Sequence, residues 1–423
     1  MKRTFYLMAG LLISFSGYAQ TSLEYFNKGM AKYNLKDYIG AIADYSKAIE
    51  LDSNSVESYI NRGLAKDDLK DYSGSIADLT KAIDLNPKNA KAYYNRGVTK
   101  ADIKDYSGAV FDYTKAIEIN PKFDSAYFNR GVIKADLQDY NAAISDYAKV
   151  IELNPKSAES YYNRGVTKAD LQDYDGAIAD YTKAINLNPM YSKAYFSRGT
   201  TKDDLQDYNG AIADYSKAIE LYPKFEDAYY NRGRTKYNHK DYNGAIADYT
   251  KVIEINSKDV EAFTNRGVAK ADIQDYNGAF LDFTKAIEIN PKFAEAYYNW
   301  GLTKDKLQDY EGAIAEYTKA IESDPKYISA YSNRGVLKAG LQDYNGAIAD
   351  FTNAIEIDPK NAATYYNRGN IKSKTQDYSG AIADFNKSID LEPSDKAAYY
   401  DRGASEVQLQ DFKVAISDFT KAI

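Results

Sequence analysis

A chain of 423 residues is long enough for two or three globular domains, but forty-two tyrosines against one tryptophan, four methionines and no cysteine mark a repeated template. The missing cysteine excludes disulfides, thiolate metal sites and a thiol nucleophile, and the single histidine, His239, excludes an imidazole triad or a multi-histidine metal centre within one chain. A net charge of −7 disfavours nucleic acid as a partner, because phosphate backbones require concentrated Lys and Arg.

The first element is a targeting segment. Lys2 and Arg3 precede an apolar run from Phe5 to Ser16, and Gly17 and Ala19 supply the small residues of a cleavage site. Residues 1–19 are expected to be removed, leaving 20–21 as a short mature N-terminus and a net charge of −9, since two bases and no acid are lost. The run is too short to span a bilayer and no later segment is apolar enough, so stable membrane insertion is not expected. No cysteine follows the run to accept a lipid. Export is therefore expected, to a periplasm or beyond it.

From residue 22 to 423 one unit is written twelve times. Glycines recur every 34 residues from Gly29 to Gly403 without insertion, and all nine prolines share one slot of that frame, from Pro87 to Pro393. The last repeat stops at Ile423, before that slot. No linker or low-complexity tail interrupts the array, so it reads as one domain.

The third unit, Ala90 to Phe123, serves as the ruler. Its first half, about Ala90 to Ile103, reads as a helix with apolar positions on two faces, which neighbouring hairpins must cover. Gly97 lies inside it at a cost of about 1 kcal/mol against alanine, and close approach of a facing helix with small residues at Ala109 and Ala116 is the expected offset. Asp105 then stands where a helix N-cap belongs, as an aspartate does in all twelve units. Tyr106, Ala109, Val110, Tyr113, Ala116 and Ile117 make the apolar stripe of a second helix, with Asp112, Lys115 and Glu118 assigned to the opposite face. Pro121 stops it.

Tyr93, Gly97, Ala109, Tyr113 and Pro121 stand where the tetratricopeptide repeat has its aromatic, Gly, Ala, aromatic and Pro, and this resemblance covers Ser22 to Ile423. It implies an all-α fold: antiparallel helix pairs wound into a right-handed superhelical solenoid, with the first helix of each pair lining the inner wall. Two slots depart from the family. Its leucine before the glycine is arginine in ten units, with Lys28 and Trp300 as the exceptions, and its following tyrosine is lysine at Lys66, Lys100, Lys134 and others. Arg96 is expected to pair internally with the acid slot of Asp112; the unit with Trp300 is also the one with Glu316 in that slot. Trp300 is read as filling the space arginine leaves, and His239 as a packed or solvated side chain rather than a ligand.

The resemblance places the slots of Lys91, Tyr94, Asn95, Val98, Ala101 and Asp102 on the inner wall. The aromatic slot holds Tyr94, Phe128, Tyr162 and Phe196, and the amide slot Asn95, Asn129 and Asn163. The last slot holds Asp68, Asp102, Asp136, Asp170 and Asp204 in five consecutive units, and turns neutral to basic at Asn238, Lys306, Gly340 and Lys374. These twelve residues are the expected partner-binding groove. The family's clamp for acidic C-termini needs Lys and Arg there, so the first half is expected instead to take a basic, extended segment of a protein partner. The function expected is a non-enzymatic interaction scaffold without cofactor or metal; the alternative is a carbohydrate- or cell-wall-binding repeat protein using the tyrosine and asparagine side chains. Ala415, Phe419 and Ile423 make the last helix apolar on one face, and self-association through it, or continuation of the gene product, is a further expectation.

Overall fold

The computed structural model describes residues 21–423, so the targeting segment and its cleavage after Ala19 lie outside the described residues. The described chain is all-α, a tandem series of helix pairs with no strand. It divides into two compact units, one ending at Leu221 and one from Tyr222 to Ile423.

The third repeat shows how local chemistry sets the elements. Its first helix is Ala90–Asp102 and its second is Tyr106–Ile119. The turn between them is a Schellman motif: the N–H of Asp105 donates to Lys100 C=O at 2.8 Å and that of Lys104 to Ala101 C=O at 2.8 Å. Lys104 takes the left-handed conformation, φ 62°, that glycine usually supplies there. All twelve repeats do the same with Lys or Gln, from Lys36 to Gln410. Asp105 then caps the second helix, accepting from the Gly108 N–H at 3.0 Å. Gly108 is glycine for space, because a Cβ there would overlap the Asp105 carboxylate. At the far end Asn120 is extended, φ −128° and ψ 91°, as a residue before proline must be, and its side chain accepts from the Lys122 N–H at 3.1 Å.

Packing corrects two sequence expectations. Gly97 does permit a close crossing, but what it faces is the Tyr113 ring, 2.8 Å from where a Cβ would lie, rather than Ala109 and Ala116. Asp112 is fully buried on the same stripe as Ala109, Tyr113 and Ala116, not on the solvent face with Lys115 and Glu118. It lies one helical turn from Ala109 and Ala116, so helical geometry carries it into the hairpin seam. Lys115 and Glu118 are exposed and pair with each other at 2.6 Å.

The buried acid is held by the arginine slot. Arg96 donates to Asp112 through Nε at 2.9 Å and Nη2 at 2.7 Å, Lys100 adds a contact at 2.8 Å, and Arg96 Nη1 reaches Thr80 of the preceding repeat at 3.0 Å. The guanidinium lies 5.6 Å from the centre of the Tyr93 ring. Arg62, Arg130, Arg164 and Arg198 repeat the carboxylate fork. The ladder is therefore internal, as expected, and the threonine contacts of Arg96, Arg130, Arg198, Arg266, Arg334 and Arg368 tie those repeats to the ones before. Where Trp300 replaces arginine, its ring stacks on Phe280 and Phe283 and the longer Glu316 takes Lys304 and Lys319 at 3.0 and 3.1 Å. His239 is exposed at a first-helix C-cap.

Candidate functional site

The first-helix wall divides into an inner, committed part and an outer, exposed part. The aromatic slot belongs to the first. Tyr94 is half-buried, its ring 5.8 Å from that of Tyr113 and 4.8 Å from that of Phe123. Tyr162 lies likewise between Tyr181 at 5.9 Å and Tyr191 at 5.0 Å, while Phe128 meets Tyr147 and Phe196 meets Tyr215. Burial, more than the nearby Asp124 charge, raises the Tyr94 phenol above its ordinary range; Asn129 pulls the other way.

The amide slot is coupled to the aromatic slot of the preceding repeat. Asn129 Nδ2 donates to Tyr94 Oη at 3.1 Å, and Asn265 and Asn333 do the same to Tyr230 and Tyr298. Where the preceding residue is Phe26 or Phe128, with no hydroxyl, Asn61 and Asn163 donate instead to the carbonyls of Glu57 and Glu159 in their own helices. A phenol calls the amide across the repeat boundary; a phenyl releases it. Asn95 follows Ile60, is half-buried, and has no phenol in that slot to meet.

The acid slot is different. Asp68, Asp102, Asp136, Asp170 and Asp204 are each the last residue of a first helix and each exposed. Among the described residues none of the five is in an ion pair, and Asp68 accepts from the Tyr33 hydroxyl at 2.6 Å. In the second unit Lys306 Nζ lies 2.7 Å from Asp272 Oδ1, so side chains of this slot in successive repeats can meet.

A cleft of about 250 Å³ opens between repeats three and five. Its lining includes Tyr94, Phe128 and Asn129 from the expected groove, together with Asp124, Ser157 and Glu159. Phe123, Tyr191 and Tyr327 cover the aromatic slot with a ring at 4.8 to 5.1 Å, whereas Ser157 occupies that position over Phe128. Ser157 uses its hydroxyl to cap the next first helix, accepting from the Ser160 N–H at 3.3 Å.

Models of the tetratricopeptide repeat match residues 22–55, 90–123, 158–191, 226–259, 260–293 and 362–395, and a TPR repeat model matches 68–104, 133–172, 204–240, 304–342 and 340–376. The chain belongs to the tetratricopeptide repeat family. Its similar solved structures include yeast Tom70, 18% identical over 94% of this chain and 99% of that one with a TM-score of 0.47. Another is the C-terminal part of a TPR repeat-containing protein from Cytophaga hutchinsonii, 23% identical over 57% and 98% with a TM-score of 0.48. A third is YrrB, described as a TPR protein with an unusual peptide-binding site, 26% identical over 44% and 95% with a TM-score of 0.39. A comparison with curated proteins gives no match.

Within this tetratricopeptide array the structure separates the expected groove residues. Asp68, Asp102, Asp136, Asp170 and Asp204 share exposure at one end of the first helices. Tyr94, Phe128, Tyr162, Phe196, Asn129 and Asn163 sit deeper, the rings packed within their own repeats, Asn129 bonded across a repeat boundary and Asn163 bonded within its own helix. Sequence reasoning missed Asp124, Ser157 and Glu159. The available signal was the final slot of the repeat, where Phe123, Tyr191, Phe225, Phe293 and Tyr327 give way to serine.

Proposed function

We propose that this protein is an exported, non-enzymatic interaction scaffold whose repeats two to six bind an extended basic segment of a partner protein. The observation that carries the reading is the row of five exposed carboxylates, in one slot of five consecutive first helices, with no base among the described residues paired to any of them. Like charges repeated in register repel, and a cationic segment relieves that repulsion. Membership of the tetratricopeptide family supports the scaffold role, and a chain with no cysteine and one histidine offers little nucleophilic or metal chemistry. The charged start, apolar run and Gly17–Ala19 pair support export to a periplasm; an intact mass beginning at Gln20 checks that part. No helix among the described residues is long and apolar enough to cross a membrane.

The sugar-binding alternative relies on open tyrosine faces, and the covering of Tyr94 by Phe123 and of Tyr162 by Tyr191 gives it less to work with. The deciding test is the triple variant Asp102→Asn, Asp136→Asn, Asp170→Asn, titrated with lysine- and arginine-rich peptides. Binding is expected to weaken and its salt dependence to flatten, with helicity unchanged by circular dichroism. A triple variant that binds these peptides as tightly as wild type refutes the acidic row as the site.

A further inference from the structure

We propose that the cleft beside Phe128 is an arginine subsite, taking one guanidinium side chain from the partner segment; this rests on the basic-segment reading above and sharpens it. The cleft, at about 250 Å³, falls below the roughly 300–1,000 Å³ of pockets that enclose whole small molecules. Its scale is that of a single side chain. Its lining carries the carboxylates of Asp124 and Glu159 and no basic residue, so a cation meets complementary charge on entry.

The choice of arginine over lysine comes from the protein's own packing. Arg96 is held by three kinds of group: the Tyr93 ring beneath it at 5.6 Å, the carboxylate of Asp112, and the hydroxyl of Thr80 at 3.0 Å. The cleft presents the same three kinds. Phe128 supplies a ring without a covering neighbour, Asp124 and Glu159 supply carboxylates, and Ser125, Ser157 and Ser160 supply hydroxyls. A planar guanidinium stacks on a ring while it donates in plane to a carboxylate, whereas an ammonium is compact, strongly hydrated and gains less from the ring.

Comparison with the seventh repeat shows what the phenyl contributes. There Tyr230 donates to Glu261 Oε2 at 3.1 Å, which gives that acid a donor inside the protein. Phe128 has no hydroxyl to offer Glu159, the residue in the Glu261 slot. Serine at 157 and phenylalanine at 128 act together: the first removes a covering ring, the second leaves an acid without its internal donor.

The experiment uses two synthetic peptides matched in length and charge, a Gly-Ser-Arg repeat and a Gly-Ser-Lys repeat, titrated calorimetrically into wild type, Ser157→Phe and the triple aspartate variant. Wild type is expected to prefer the arginine peptide. Ser157→Phe, which installs the ring found at Phe123, is expected to lose about tenfold for the arginine peptide, to erase the preference, and to leave the lysine peptide unchanged. If Ser157→Phe keeps the arginine preference while the triple variant weakens both peptides, the subsite is overturned and the acidic row stands. If neither peptide binds wild type, the basic-segment reading falls and the subsite with it. Should Ser157→Phe lose helicity, Asp124→Asn with Glu159→Gln carries the same comparison, and an unchanged arginine preference there overturns the subsite equally.

Discussion

Asp146 is 3% exposed and is held by Arg130 through Nε at 2.9 Å and Nη2 at 2.6 Å, with Lys134 at 2.9 Å. A buried carboxylate that loses one partner of such a set costs about 3–5 kcal/mol. Arg130→Leu is expected toward the lower end, because Lys134 remains, while binding of basic peptides stays within about twofold of wild type because Arg130 faces the seam. Urea denaturation and peptide titration of the same variant separate the two effects. A second residue breaks the pattern: Glu406 occupies the slot that holds lysine in the other eleven repeats. It is 6% exposed, and burial first, then the neighbouring Asp418, raises its carboxyl from 4.5 to about 7, against the opposing Arg402. A raised folded value means that the native state holds the proton the unfolded chain has released. Stability of the last hairpin is therefore expected to fall as pH rises from about 4.5 to about 7 and to level off above it. Glu406→Lys, which restores the lysine–aspartate pair, is expected to abolish that slope and to raise protection at pH 8, read by hydrogen exchange in the last two helices.

Element ends carry the regularity of this array. Each second helix starts at an aspartate, but the side-chain cap bond is not made in every repeat. Asp173 accepts from the Gly176 N–H at 3.1 Å, whereas Asp139, followed by Ala142, makes no side-chain cap bond. Asp173→Ala is therefore expected to cost about 1 kcal/mol, and Asp139→Ala about half that, retaining only the helix-dipole contribution. The difference is measurable in parallel denaturation curves. The first-helix turn is more uniform: a left-handed Lys or Gln recurs at φ 61–68° in every repeat. Its sequence carries no glycine signal, and the Schellman hydrogen bonds rather than residue preference hold the conformation.

At the scale of the whole molecule, stability in a repeat array is a sum of hairpins and nearest-neighbour interfaces. The Arg130 and Glu406 lesions are accordingly expected to act locally and to add, since neither shares a partner with the other. The exposed aspartates act collectively instead. Exposed charges are screened beyond about 10 Å at 0.1 M salt, so affinity for basic peptides is expected to fall steadily from low salt to about 0.5 M, and less steeply for the triple asparagine variant.

The period of 34, the aspartate caps, the proline stops and the apolar stripes were legible because each acts within one helix or one turn, where spacing along the chain is spacing in space. The arginine–aspartate pairing was legible for the same reason: two slots sixteen residues apart, varying together at Trp300 and Glu316, meet within one hairpin. Only the tertiary structure decided which wall residues remain available to a partner. That choice depends on contacts between side chains far apart along the chain, both within a repeat and between neighbouring repeats. Phe123 covers Tyr94, Asn129 reaches back to the Tyr94 hydroxyl, and Ser157 leaves Phe128 beside a cleft. A local pattern names the face a side chain leaves from, but burial is set by what the rest of the repeat and its neighbour place against it.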